Sequence, residues 1–275
     1  MKPHLPIRTP FVLLALLACS FLLTGCSSKG PTWEEKVATH MKTNDAGSLV
    51  WNAMEAHGGY GTWMSNGALQ FRWIYLMQDI GPDAIVNTLQ TVDPHSLQAR
   101  HEVNDSDTTF GWDGKEAWII PPDAKFAPPP RFWALTPYYF VGIPFVFGDL
   151  GAQFKMEPDW EFEGVSYHQV RVTFSSGDAP DDYYILLIHP ETNKVHGARY
   201  IVTSSLVTDG TPKPEKLITF EKHADIGGVL IPTHHRTFSM NGDEIGEKVR
   251  EADASEMKWI SPAPDLSAPA DAKIL

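Results

Sequence analysis

Residues 67–77 read GALQFRWIYLM, with Leu69, Phe71, Trp73, Tyr75 and Met77 at every second position. A period of two places all five on one side of an extended chain, because successive side chains of a strand point to opposite faces. The stretch predicts a long strand with one strongly aromatic face. The same pattern predicts strands over 85–92 and 97–103, joined through Asp93-Pro94, and over 108–112 and 117–120. Asp113-Gly114 between the last two signals a hairpin, since the tight turn there needs positive φ.

Further strands are expected over 159–163, 165–174, 183–188, 195–207, 215–223, 229–239 and 247–259. Turn-forming sequences separate them, including Glu163-Gly164 and His189-Pro190-Glu191-Thr192-Asn193-Lys194. Ten or eleven strands with no internal repeat imply a mainly β chain built on one large, curved antiparallel sheet. Before the first strand, Leu49, Val50, Ala53, Met54 and His57 recur at helical spacing, and Gly58-Gly59 ends the pattern. A helix over 46–57 follows, with His57 read as a structural residue at its C-terminus. Residues 27–44 read as a polar tether with weak helical character.

Two proline clusters, Pro121-Pro122 and Pro128-Pro129-Pro130, precede FWALTPYYFVGIPFVFGDL (132–150), in which thirteen of nineteen residues are apolar. Pro137, Gly142, Pro144 and Gly148 interrupt it too often for a membrane-spanning helix. It reads as short helices laid across a hydrophobic face, with a mobile lid or lipid-contacting segment as the functional alternative. From Pro262 onward the chain is rich in Pro and Ala and is expected to pack little.

The N-terminus fixes the compartment. Lys2 and Arg8 precede an uncharged run over 11–23, about 20 Å long as a helix against a hydrocarbon core of about 30 Å. That length suits a cleaved signal peptide (1–25). Leu22-Leu23-Thr24-Gly25-Cys26 resembles the bacterial lipobox, so Cys26 is the expected lipidation site. The expected organisation is a lipidated N-terminus and tether (26–45), a single domain (46–261) and a tail (262–275). Ser27 and Ser28, with no Asp at the second mature position, favour the outer membrane, facing the periplasm. Cys19 leaves with the signal peptide, so Cys26 is the sole thiol of the mature chain. Disulfides, cysteine-ligated metals and thiol catalysis are thereby excluded.

Loss of Lys2 and Arg8 takes the net charge from −12 to −14. Nucleic acid is disfavoured as a partner, and attachment to an anionic bilayer falls to the acyl anchor. No GxSxG, HExxH, P-loop or GxGxxG motif occurs in context. His234 and His235 are adjacent and point apart on a strand. His189 and His196 straddle a turn without a third ligand. Asp178, Asp181 and Asp182 form an acidic loop without an EF-hand pattern, and Glu161 with Glu163 is a carboxylate pair in an acidic chain. No catalytic residue, metal or cofactor is assigned, and the chain reads as non-enzymatic.

Gly111-Trp112-Asp113-Gly114-Lys115-Glu116-Ala117-Trp118 resembles the "DGK-x-x-W" hairpin of LolA/LolB-type lipoprotein carriers. The run Ile188-His189-Pro190-Glu191-Thr192-Asn193-Lys194-Val195 is similar to their "D-P-E-T" turn, with His189 where Asp is usual. Ile218-Thr219-Phe220 through Pro232 is similar to their late hairpin ending "G-x-x-x-P". The whole looks closest to a lipoprotein branch of that superfamily with a domain of unknown function. The resemblance implies an unclosed half-barrel with an N-terminal helix and a short helical insertion covering its concave face. It also implies a cavity for a lipid or acyl chain, for which Phe71, Trp73, Tyr75, Trp118, Phe140, Phe145 and Phe147 are the expected lining. The rival readings are a structural lipoprotein with a filled core that docks an envelope protein partner, and a hydrolase or metal-dependent enzyme using His189, His196 or His234.

Overall fold

The computed structural model describes residues 30–175 and 181–275; the signal segment, Cys26 and Asp178 lie outside the described residues. Residues Thr32–Leu275 form one compact unit. It opens with helices α1 (Trp33–Met41), α2 (Asp45–Ala56) and α3 (Tyr60–Ser65). Part of the expected tether is therefore a defined helix. Thr32 and Glu35 form a reciprocal capping box at its start, and Val37 and Met41 are buried along it. Helix α3 is too short for helical periodicity to show, and burial of Tyr60 and Trp63 holds it in place.

The strands are β1 (Ala68–Met77), β2 (Ile85–Val92), β3 (Ala99–Val103), β4 (Thr109–Trp112) and β5 (Ala117–Ile120). The insertion follows as α4 (Pro130–Trp133), α5 (Thr136–Gly142) and a 3-10 turn at Phe145–Phe147. Then come β6 (Ala152–Phe162), β7 (Val165–Phe174), β8 (Tyr183–Ile188), β9 (Val195–Tyr200), β10 (Lys216–Ile226), β11 (Val229–Asn241), β12 (Glu244–Ile260) and β13 (Lys273–Ile274). They form one antiparallel sheet in the order β13-β5-β4-β3-β2-β1-β12-β11-β10-β9-β8-β7-β6. Its edges β13 and β6 do not meet, so the sheet is an unclosed half-barrel.

Register decides which side chains face the helices. Phe71, Gln90, His101, Phe110 and Ile119 lie side by side across β1 to β5. Gln70, Thr91, Arg100, Gly111 and Trp118 form the neighbouring row, on the opposite face. The first row belongs to the main core with the inward residues of β1, the three early helices and the insertion. Full burial of each large side chain there contributes roughly 1.5–3 kcal/mol.

The tail packs more than its composition implies. Leu266 is buried, and Lys273 and Ile274 pair with Ile119 and Trp118 as the thirteenth strand. Pairing with the short strand β5 supplies the ordering energy that a Pro/Ala-rich sequence lacks on its own. No helix among the described residues is long and apolar enough to cross a membrane.

Candidate functional site

Most of the concave face is already occupied by protein. Phe71 and Trp73 are wholly buried and contact each other edge to face. Tyr75 meets Trp133 of α4 at 5.4 Å between ring centres. Phe145 stacks on Trp63 at 4.8 Å, with the rings nearly parallel, and Phe147 packs against Phe174 and Tyr184. Trp118 lies on the other face, where its ring fills the space a side chain at Gly111 would need. Its register with Gly111, Arg100, Thr91 and Gln70, which a hairpin motif does not reveal, places it on the face opposite the core row.

Among the described residues, two clefts lie beside this filled core. The first, about 600 Å³, has an almost entirely apolar wall that includes Met77, Pro128, Phe132, Trp133, Tyr200 and Val202. The second, about 490 Å³, is lined by Trp112, Arg131, Leu135, Tyr139, Phe140 and Tyr184 among others. Phe132, Tyr200 and Val202 border both clefts. These volumes fall within the range of about 300–1,000 Å³ typical of small-molecule sites. Phe140 is the one residue of the seven expected lining positions that borders either cleft.

The shared wall exists because β9 stops at Tyr200, where an alternating pattern continued to Val207 would predict more strand. Asp182 diverts the chain there: its Oδ1 accepts hydrogen bonds from the backbone N–H and the hydroxyl of Thr203, at 2.6 and 2.7 Å. Residues 201–215 then leave the sheet and cross beside the insertion, presenting Val202, Val207 and Pro214 to the first cleft. The N–H of Lys213 donates to the carbonyl of Val202 and closes this excursion.

At the end of the core face the sheet changes from aromatic to charged. Lys216 sits between Tyr200 and Ser239 in register, and Met77 pairs with Arg250. Asp79 joins the two cations. Arg250 donates to both its carboxylate oxygens at 2.9 Å, and Lys216 Nζ donates to Oδ2 at 2.9 Å. Arg250 also donates to the Tyr75 hydroxyl at 3.1 Å. Burial favours a protonated Asp79, but hydrogen bonds from Arg250 and Lys216 override it and hold the carboxyl below its ordinary value. Burial pulls Lys216 down; Asp79 opposes that shift, while Arg250 and Lys213 add to it.

The histidines do structural work. His57 Nδ1–H donates to the Leu230 carbonyl at 3.1 Å, and its Nε2 accepts from the Val195 N–H at 3.1 Å, pinning α2 to two strands. His101 Nε2–H donates to the Ala134 carbonyl at 2.8 Å, tying β3 to the insertion, and Nδ1 accepts from Thr88. His235 packs between Trp73 and Phe220. Burial lowers these three to about 4, 4 and 3 respectively.

His189 accepts backbone N–H groups in its own turn, His196 stacks on Tyr167, and His234 pairs with Asp253 and Glu251. None of these three borders either cleft. Among the described residues no group of three or more His, Cys, Asp or Glu is arranged to hold a metal ion.

No protein-family model matches the sequence, and a search of curated proteins returns no match. Solved structures do match. A LolA superfamily protein of Nitrosomonas europaea superposes with a TM-score of 0.50 at 14% identity, over 80% of this chain and 95% of its own. The chain has a LolA-like fold. A DUF1329 family protein of Desulfovibrio piger gives 0.49 at 10% identity, over 81% of this chain and 96% of its own. Within the LolA-like half-barrel, the clefts flank the aromatic centre that the sequence indicated, and their walls come from the insertion and residues 201–215. Those walls were hard to find from sequence: Phe132 and Trp133 stood in a long apolar run, and Val202 and Val207 read as strand.

Proposed function

We propose that this protein binds or carries a lipid or another hydrophobic ligand, held at the periplasmic face of the outer membrane by lipid on Cys26. The observation that carries this reading is the first cleft. It is an apolar hollow of about 600 Å³, walled by Phe132, Trp133, Tyr200 and Val202, in a chain that packs its other aromatics closely. Burying an acyl chain there is favoured by about 0.8 kcal/mol for each CH₂ removed from water, before ordering costs. The LolA-like fold supports the reading, and no cleft residue suggests bond-making chemistry. The anchor follows from the lipobox-like sequence at Cys26, and the acidic net charge leaves lipidation as the means of membrane attachment.

A second reading draws on the filled aromatic face: a structural lipoprotein that docks an envelope protein partner. Native mass spectrometry of the full chain, purified from membranes in a mild non-ionic detergent, separates the two. The ligand-binding reading expects a co-purifying lipid and displacement of a bound fluorescent fatty acid. Absence of both leaves the docking reading.

A further inference from the structure

The first cleft is apolar inside and cationic at one end, in a chain of net charge −12. Its border carries Lys213, Lys216 and Arg250 against Asp79 and Glu215. Glu215 is already occupied: Arg199 donates to it at 2.6 Å and the Tyr183 hydroxyl at 2.8 Å. Asp79 is shared by Arg250 and Lys216, so one carboxylate serves two cations. Lys216 uses one of its three N–H groups on Asp79, and Lys213 adds another positive charge. Counted over the residues of the border itself, three cations face two carboxylates, and one positive charge beyond balance borders an apolar wall, where screening by water is weak.

We propose that the cleft selects an acyl amphiphile whose head carries a single negative charge, with Lys216, Lys213 and Arg250 receiving the head and Phe132, Trp133 and Val202 the chain. This rests on the reading of the cleft as a hydrophobic-ligand site and adds the chemistry of the headgroup. A carboxylate or a phosphodiester satisfies it alike, since each brings one negative charge and oxygen acceptors for the N–H groups that Asp79 leaves unused. Asp79 has a positioning role. By bridging β12 and the start of β10 it holds both cationic groups at the border of the cleft, and the Tyr75 hydroxyl accepts a further hydrogen bond from the guanidinium.

The test is a competition among three single-chain probes of matched chain length on the full chain in non-ionic detergent, read by native mass spectrometry: palmitate, hexadecanol and palmitoyl lysophosphatidylglycerol. Palmitate or the lysophosphatidylglycerol is expected to bind roughly tenfold or more tightly than hexadecanol, as charge-assisted hydrogen bonds require. Which of the two wins identifies the head as carboxylate or phosphodiester. The double variant K213Q/K216Q leaves Arg250, Asp79 and Tyr75 in place and is expected to narrow the gap between the anionic probes and hexadecanol at least about threefold, with the larger loss on the anionic probes. Equal binding of the acid and the alcohol by the unaltered protein overturns the headgroup assignment and leaves the apolar site standing. Equal losses for all three probes in K213Q/K216Q overturn it as well. If no probe binds, both this inference and the hydrophobic-ligand reading fail.

Discussion

Acid should loosen this protein well above the range where carboxylates titrate. His57, His101 and His235 are buried and neutral, at about 4, 4 and 3, whereas an unfolded histidine titrates near 6.5. Their folded values are depressed, so the unfolded chain binds more protons as pH falls. The stability these groups allow is intact above about pH 6.5 and is lost progressively toward pH 4. At pH 5 each unfolded imidazole is almost fully protonated while its buried counterpart is not. The difference is about 2 kcal/mol for each, or about 6 kcal/mol together. That is comparable with the whole net stability of a typical domain, about 5–15 kcal/mol.

The assay is urea unfolding of the full chain in non-ionic detergent, followed by tryptophan fluorescence from pH 7.5 to 5. The free energy of unfolding should fall with a limiting slope of at least about 4 kcal/mol per pH unit, the signature of three protons, to which His196 and His223, also lowered by burial, add. His101→Gln retains a group able to reach Ala134 and should remove about one proton from the slope. Uptake of less than one proton, or a slope indifferent to His101→Gln, would refute the assignment of neutral buried imidazoles.

Three further outcomes are expected. Trp118→Ala should cost about 3–5 kcal/mol in urea unfolding, because its ring packs against Gly111 beneath β13; ligand affinity at a temperature where the variant stays folded should not change, since Trp118 lies away from both clefts. Val202→Trp should fill the wall shared by the clefts and reduce fluorescent fatty-acid uptake at least about tenfold while the unfolding midpoint moves little; normal uptake would remove the clefts from consideration. Cys26→Ala should abolish incorporation of radiolabelled palmitate, and a variant that stays labelled would place the lipid elsewhere.

The sheet was legible wherever one face is buried and the other is not. Alternation in β1 and the Asp113-Gly114 and Glu163-Gly164 turns identified β1, β4, β5 and β7 to within a residue or two, whereas β6 begins at Ala152, seven residues before the expected Asp159. Legibility failed where side-chain hydrogen bonds or distant pairing overrode the local pattern. Asp182 ends β9 early through Thr203, and β5 recruits Lys273 and Ile274 from a tail without strand character of its own. The site inherited these failures. An aromatic stripe marks a face that will be covered, but the sequence does not say whether ligand or protein covers it. Here Trp63, Trp133 and Phe145 cover most of it, and a hollow survives where the insertion meets residues 201–215.

The neighbour of the first strand is the last long one: β1 pairs with β12, Ala68 opposite Ile260. Almost the whole domain is threaded between two strands that meet in the middle of the sheet. A chain that emerges N-terminus first must therefore hold its most aromatic strand half-paired until some 190 further residues have followed. During that interval Leu69, Phe71 and Trp73 are open to whatever greasy surface lies nearby. Folding of this sheet is thus a race between arrival of β12 and capture of β1 by a wrong partner, and a stop codon before residue 244 leaves β1 without the strand it pairs with.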